Sequence, residues 1–344
     1  MNPSFQRMIF ASEAGFGRGA LPVRPRGCAR PLPNRNIVVT ADGRVRYARG
    51  MEPTDATAPQ SQDSQDGRRA VQRRGTVRVV TVAYNPGEEL VRFLDSLGRA
   101  SRRRVRVVIA DNGSEHELVQ EAAERFGAEV VTDGTNRGYG GGANLAARDL
   151  DEDWVVVANP DIVWRPGSLD VLIDAGLNTA GAGCLGPRLL NPDGSVYPSG
   201  RALPTLVRGT GHAALTRVWP SNPFSAAYHS QGGNDAVREV GWLSGACLVL
   251  PAPVWRELGG FDEDYFMFFE DVDLGARVAR AGWRNIQVPA AVVVHEQGAS
   301  WKARPERMIR AHHASARRYL DGVYSAPWQA PLRWAVDGGL RLRE

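Results

Sequence analysis

The chain has 344 residues, enough for one large domain or two small ones, and its 43% hydrophobic content is that of a globular protein. No run of about 18 apolar residues occurs, so no spanning helix is expected, and the opening MNPSFQRMIFASEAGFG lacks the apolar stretch of a signal peptide. The net charge of +4 is unevenly divided: residues 1–75 hold 13 Arg against 6 acids, residues 301–344 hold 9 Lys and Arg against 4 acids, and the remaining 20 Arg face 28 acids.

The body between the two basic ends is therefore acidic, which argues against a nucleic-acid-binding core. It suits a site that gathers carboxylates around a cation. The basic flanks are either plain solvated charge or available to an anionic membrane surface. Cys28, Cys184 and Cys247 have no metal-like spacing and read as free thiols of a reducing cytoplasm.

Residues 1–75 read as a disordered leader or a mis-assigned start, with Met51 as an internal alternative. Within them only Asn36–Tyr47 looks like a hairpin, turning at Asp42-Gly43. Ordered pattern begins with a strand at Val77–Tyr84, followed by the turn Asn85-Pro86-Gly87. Glu88–Ala100 carries Leu90, Phe93, Leu94 and Leu97 on one helical stripe. Val105–Ala110 is a second strand running into Asp111-Asn112-Gly113-Ser114. Glu115–Phe126 is a helix and Ala128–Thr132 a third strand. A glycine-dense loop, Asp133–Gly142, precedes a helix over Ala143–Leu150. Trp154–Ala158 is a strand whose three consecutive valines suit burial on both faces, and Pro160 ends it, delivering Asp161 at its carboxyl end. This alternation predicts a parallel sheet with helices on both faces.

Beyond it, Pro166–Leu177 reads as a helix and Gly186–Ser199 as a hairpin turning at Pro192-Asp193-Gly194. A loop-rich stretch over Arg201–Tyr228 carries Trp219, Phe224 and Tyr228. Val240–Leu250 reads as one strand and Val254–Leu258 as a short helix. Glu270-Asp271-Val272-Asp273 opens a helix that Gly282 stops, and Ile286–Val294 is a last strand that delivers His295. The Arg-rich tail Ala303–Glu344 is helical, with Trp328 and Trp334.

Polar clusters thus stand at strand ends: Tyr84-Asn85, Asp111-Asn112, Asn159-Pro160-Asp161 and His295. Such ends converge on one crevice in a wound sheet. There Asp161 and His295 can share a divalent cation. Oxygen and imidazole donors without thiolates suit Mn²⁺ or Mg²⁺. A strand-end histidine held by packing, and acids that merely complement a helix N-terminus, are the plain alternatives for His295 and for Glu270-Asp271. In Asn136–Asn144, NRGYGGGAN, glycines admit a backbone close to a diphosphate. Gly138, Gly140 and Ala143 also match the dinucleotide pattern G-x-G-x-x-A, although after the wrong strand.

In chain order, the turn at Thr81–Pro86, then DNGS, NRGYGGGAN, NPD and FFEDVD, resemble the motifs of the family 2 glycosyltransferases. The resemblance spans Val77 to about His295. It implies an α/β GT-A fold: a Rossmann-like, mostly parallel sheet flanked by helices, with a C-terminal helical extension. It divides the chain into the leader, a catalytic domain over residues 76–300, and a tail over 301–344 that lies on the inner leaflet. The catalytic domain comprises a nucleotide-binding half (76–165) and an acceptor-binding half (166–300). The longer runs VANPDI, PDGSVYPSGR, GWLSGACLVL and GGFDEDYFMFFEDVDLGARV are similar to actinobacterial rhamnosyltransferases of cell-wall linker synthesis. Those enzymes pass L-rhamnose from dTDP-L-rhamnose to N-acetylglucosaminyl-diphospho-polyprenol.

The resemblance implies Asp271 as general base assisted by Glu270. Donor contacts fall at Tyr84, Asn85, Asp111, Asn112, Asn136, Gly138, Asn144 and Asn159. Acceptor contacts fall at Trp242, Gly245 and Asp273, and Mn²⁺ or Mg²⁺ is held by Asp161 and His295. The chain departs from the family's D-x-D element in having Asn159 as its first member. A family 2 enzyme with another nucleotide-sugar, an NAD-dependent oxidoreductase using Gly138–Ala143, and a sugar-nucleotide-binding module without activity remain alternatives at this point. The implied location is cytoplasmic, peripheral at the inner face of the plasma membrane.

Overall fold

The computed structural model describes residues 37–39, 45–47, 75–113, 115–204, 235–296 and 305–341. The turn at Asp42-Gly43, Ser114, and the aromatics Trp219, Phe224 and Tyr228 lie outside the described residues. The chain divides into two compact units, Met1–Arg68 and Arg69–Glu344. In the first, β1 (Ile37–Val39) pairs antiparallel with β2 (Val45–Tyr47), the two arms of the expected hairpin.

The second unit opens with β3 (Val77–Ala83), α1 (Glu88–Ala100), β4 (Val105–Asp111), α2 (His116–Phe126), β5 (Glu129–Val131), α3 (Gly138–Ala146) and β6 (Trp154–Ala158). It continues through β7 (Ile162–Trp164), α4 (Ser168–Asn178), β8 (Ala182–Leu190), β9 (Val196–Tyr197) and β10 (Gly200–Arg201). Then come β11 (Arg238–Val240), β12 (Trp242–Leu243), β13 (Cys247–Pro251), α5 (Ala252–Leu258), α6 (Glu270–Arg280) and β14 (Arg284–His295). The described chain closes with α7 (Pro305–Val323), a 3-10 turn (Pro327–Gln329) and α8 (Ala330–Arg341).

The main sheet runs β11-β14-β8-β13-β6-β3-β4-β5, with β7 on β14 and β9 on β8. β6, β3, β4 and β5 are mutually parallel, and β13 lies antiparallel between β6 and β8. From β3 the chain winds outward through β4 to β5, then crosses to the other side of β3 as β6. The crevice at such a reversal opens at the carboxyl ends of β3 and β6, where Asn85 and Asp161 follow.

Period-2 alternation fills both faces of the sheet. Trp154, Val156 and Ala158 of β6 join the core under α1, α2 and α4. Val155 and Val157 join the core under α3, α5 and α6. Leu90, Phe93, Leu94 and Leu97 of α1 are each 4% exposed or less. Burial of each such side chain contributes about 1.5–3 kcal/mol relative to leaving it in water. At the opposite end of β3, the buried Arg78 is held by Glu152 at 2.8 Å and Asp151 at 3.2 Å.

Two sequence expectations need correction. The helix expected over Ala143–Leu150 runs instead from Gly138 to Ala146, so Asp133–Arg137 remain a loop while Gly138–Gly142 form the first turns of α3. Its glycines serve packing against protein: a Cβ on Gly142 would stand 2.9 Å from Val82 Cγ1. The single strand expected over Val240–Leu250 is three pieces, because the chain turns at Gly241 and again at Ser244–Ala246. That second turn proves central to the site.

Candidate active site

The acidic segment is presented by a strained turn. Phe268 and Phe269 have φ of +68° and +66°, a left-handed conformation that side chains resist. Helix α7 braces them. Ser315 Oγ donates to the Met267 carbonyl at 2.8 Å, and the His312 ring packs edge-on at 5.5 and 5.4 Å from Phe268 and Phe269. The chain thereby enters α6 with Glu270 turned inward. Glu270 is buried, and its Oε2 has no hydrogen-bond partner among the described residues. Burial, and then the neighbouring charge of Asp271, push its carboxyl up to about 8. That shift favours its neutral form, unlike the charged form that a helix-capping acid presents.

Asp271 differs from its neighbour. Burial raises its pKa, but Gly245 N–H donates to Oδ2 at 2.8 Å, Val272 N–H donates to Oδ1 at 2.8 Å, and the Arg201 charge adds to both in opposing that rise. Burial thus pushes both adjacent carboxyls up, but only Asp271 is supplied with donors that favour its anion. The Arg201 guanidinium lies 5.6 Å over the Tyr197 ring and 5.5 Å over the Trp242 ring. The Trp242 indole is fixed by its Nε1–H to the Ala202 carbonyl at 3.1 Å.

On the other side of the crevice, Asp161 and His295 meet as expected. His295 Nε2 lies 3.2 Å from Asp161 Oδ1 and 3.3 Å from Asn159 Nδ2, and the Tyr197 ring stands edge-on to the imidazole at 6.0 Å. β14 and β7 pair in register, His295 opposite Ile162, and this brings the two side chains together. Among the described residues no group of three or more His, Cys, Asp or Glu is placed to hold a metal. One carboxylate and one imidazole still fit a divalent cation, because Mg²⁺ and similar ions take few protein ligands and complete their shell with phosphate oxygens and water.

The turn Ser244–Ala246 ties the two sides together. Gly245 N–H holds Asp271, the Gly245 carbonyl accepts the Tyr139 hydroxyl at 2.7 Å, and the Ala246 carbonyl accepts the Asn159 N–H at 3.0 Å. Asp271 and the Asn159–Asp161 segment are therefore neighbours across one short turn.

The residues expected to contact the donor lie largely at the ends of β3 and β4. Tyr84 is exposed at the rim. Asn85 Oδ1 accepts the Glu115 N–H at 3.2 Å. Asp111 is buried and accepts Gly113 N–H at 3.0 Å, and its Oδ2 lies 2.5 Å from His116 Nδ1. Asn112 Nδ2 donates to the Gly138 carbonyl at 2.7 Å, and Asn136 Oδ1 accepts the Gly138 N–H at 2.9 Å. These amides shape the wall on which α3 begins.

Two residues stand apart. Asn144 clamps the Phe261 backbone, donating to its carbonyl at 2.8 Å and accepting its N–H at 2.9 Å. Asp273, two residues after Asp271 on a helix, points away from it. It pairs with Arg277 at 2.6 Å and lines a separate cavity of about 570 Å³ between α6 and α7, beside Tyr265, Arg280 and Arg318. Sequence reasoning missed Tyr139 and Arg201. Tyr139 sits inside a motif read for its glycines, and Arg201 inside PDGSVYPSGR, read for its turn.

The sequence profile described as "Glycosyltransferase like family 2" matches residues 74–314. The chain belongs to glycosyltransferase family 2. An N-acetylglucosaminyl-diphospho-decaprenol L-rhamnosyltransferase of Mycobacterium tuberculosis is 45% identical over 277 residues, 77% of this chain and 90% of the relative. The rhamnosyltransferase WbbL of Escherichia coli K12 is 25% identical over 255 residues, 71% of this chain and 92% of its own. A solved structure, GalNAc-T7 with UDP, GalNAc and Mn²⁺, superposes with a TM-score of 0.49 at 15% identity, covering 64% of this chain and 44% of that one. As a family 2 glycosyltransferase the chain is an enzyme, so the oxidoreductase alternative falls. Its pattern glycines, which lie within α3, face protein atoms.

Proposed function

We propose that this glycosyltransferase transfers L-rhamnose from dTDP-L-rhamnose to N-acetylglucosaminyl-diphospho-polyprenol, inverting the anomeric centre, in cell-wall linker synthesis. The observation that supports the site reading is the turn Ser244–Ala246, whose Gly245 N–H holds Asp271 and whose Ala246 carbonyl accepts the N–H of Asn159, which in turn lies 3.3 Å from His295. The donor and acceptor identities are supported by the 45% identity to the mycobacterial rhamnosyltransferase.

In this reading the Asp111 turn, with Tyr84 and Asn85 beside it, receives the base and ribose, and Asn112, Asn136, Gly138 and Asn144 hold that wall in shape. Asp161, His295 and Asn159 face the diphosphate, and Asp161 and His295 would hold Mn²⁺ or Mg²⁺. When bound, that ion offsets the negative charge that grows on the departing nucleotide. Asp271 takes the proton of the attacking acceptor hydroxyl. An ordinary carboxylate near pKa 3.9 is far too weak a base for an unreacted alcohol. Proton transfer therefore comes late, once bonding to the anomeric carbon has acidified the hydroxyl. The raised pKa of Asp271 strengthens it as a base, while the Gly245 and Val272 N–H groups and Arg201 oppose that rise and favour its anion. Glu270, neutral, donates a hydrogen bond to an acceptor oxygen. Trp242 and Gly245 flank the acceptor, and Asp273 acts at a distance through α6. Attack opposite the nucleotide converts a β-linked donor into an α-rhamnoside.

Among the described residues no helix is long and apolar enough to cross a membrane. The acceptor nonetheless carries a polyprenyl chain. Trp328 and Trp334, 79% and 72% exposed on the Arg-bearing C-terminal segment, are the groups we place on the anionic inner leaflet. The test is a donor screen with Mn²⁺ or Mg²⁺, the acceptor presented in anionic vesicles and the product linkage read by NMR. An α-rhamnoside formed from dTDP-L-rhamnose, with protein sedimenting with the vesicles at low salt, is expected. Transfer of another sugar instead would refute the donor assignment, and protein left in the supernatant would refute the membrane contact.

A further inference from the structure

We propose that Tyr139 is a positioning residue for Asp271, acting through the Gly245 peptide groups. The inference rests on the reading of Asp271 as the base and adds a residue of which that reading makes no use.

The turn Ser244–Ala246 has to place one N–H, that of Gly245, on Asp271 Oδ2 at 2.8 Å. The residue that does so is a glycine, the type with most backbone freedom. Crowding does not demand it: a Cβ at 245 would meet Asp271 Oδ2 at 3.4 Å and Tyr139 Cε1 at 3.6 Å, ordinary contacts, and its φ lies outside the left-handed region. Backbone bonds hold the flanks of the turn, Ser244 N–H to the Ser199 carbonyl at 2.8 Å and Asn159 N–H to the Ala246 carbonyl at 3.0 Å, which leaves the Gly245 carbonyl between them to be held.

The Tyr139 hydroxyl does this by donating to the Gly245 carbonyl at 2.7 Å. Tyr139 is itself anchored. It sits in the first turn of α3, its backbone N–H donates to the Phe266 carbonyl at 3.0 Å, and its ring packs edge-on at 6.0 Å from Phe261. The hydroxyl keeps its proton: burial, above all, pushes the phenol well above its ordinary range. It is therefore a permanent donor and a poor acid or base, suited to holding a carbonyl. The anchoring carbonyl belongs to Phe266, four residues before Glu270, so one residue, through its backbone N–H and its hydroxyl, links the turn to the segment that carries Asp271.

Tyr139→Phe removes only the hydroxyl and leaves the ring packing. We expect kcat to fall about tenfold, as a lost orienting hydrogen bond loosens the reacting geometry, with KM for dTDP-L-rhamnose within about twofold because the donor wall is untouched. The acid limb of the kcat–pH profile should move to higher pH, because weaker donation from Gly245 leaves the Asp271 carboxylate less stabilised. A purely structural hydroxyl would lower the melting temperature and leave that limb in place. Unchanged kcat and an unchanged acid limb overturn the inference, with or without a stability loss. Asp271→Asn is run in parallel. If it collapses transfer while Tyr139→Phe behaves as wild type, only the positioning role is refuted. If Asp271→Asn retains transfer, the base assignment and the positioning role fall together.

Discussion

Asp271→Asn is expected to lower the rate of transfer about 10³-fold while dTDP binding stays within about twofold of wild type, since a positioned general base contributes typically 10²–10⁴. The asparagine occupies the same volume. It keeps one oxygen to accept from Gly245 or Val272, but turns an N–H toward the other of these two donors. One backbone N–H then loses its acceptor, at a cost of about 1–3 kcal/mol. A melting curve must therefore accompany the rate, so that lost chemistry is not confused with lost fold. The pH profile separates the two further. Burial raises the Asp271 pKa, so wild-type activity should fall on acidification through a value above the usual carboxylate range, whereas residual activity of the variant should lack that limb. Glu270 should also respond. With its charged neighbour gone, one of the two causes that push it to about 8 is removed, and its pKa should drop. Transfer that survives the substitution would mean that another group takes the proton.

The largest expected effect on stability comes from Gly138→Ala. Gly138 has a φ of +71°, and an added Cβ would lie 2.0 Å from the Phe266 carbonyl oxygen and 2.9 Å from its Cα. Both obstacles are backbone, which cannot rotate away as a side-chain tip can. Gly138 is also pinned by Asn136 on its N–H and by Asn112 on its carbonyl. Strain at positive φ and forced displacement of Phe266 together should cost about 3 kcal/mol or more. The damage would spread to function, because Phe266 begins the run that ends in Glu270-Asp271. Gly98→Ala is the contrast. Gly98 lies within α1 with nothing inside 4 Å of an added Cβ, and the change should stabilise by about 0.5–1 kcal/mol. Chemical denaturation of the three proteins measures both differences. Equal midpoints for Gly138→Ala and wild type would show that the close approach to Phe266 does not constrain the fold.

Strong local pattern explains what the sequence revealed. Trp154–Ala158 is a strand with the expected bounds because hydrophobic β-branched residues end at a proline, and Glu88–Ala100 is a helix with the expected bounds because its apolar stripe is unbroken. Asp161 and His295 were legible as partners because both stand where strands run out. What was hidden depends on neighbours distant in the chain. The glycines of α3 look like a phosphate loop until Val82 and Phe266 are seen against them. Asn144 looks like a ligand contact until it is found clamping Phe261. Asp271 and Asp273 are equivalent in a string of acids, yet a helix turns one to Gly245 and the other to Arg277. The break of Val240–Leu250 at Ser244–Ala246 gives no hydrophobic signal, because the pieces on either side are equally apolar.

The proposed transfer requires a single crevice in which Asp161 and His295 face the diphosphate while Asp271 faces the sugar. Anomalous diffraction at the manganese edge, from crystals of the full chain grown with dTDP and Mn²⁺, tests this most directly. The expected result is one strong peak between the Asp161 carboxylate and the dTDP phosphates, with His295 beside it and Asp271 across the opening. A peak in the cavity between α6 and α7, beside Asp262, Asp273 and Asp321, or dTDP bound away from Asp161 and Asp271, would contradict it.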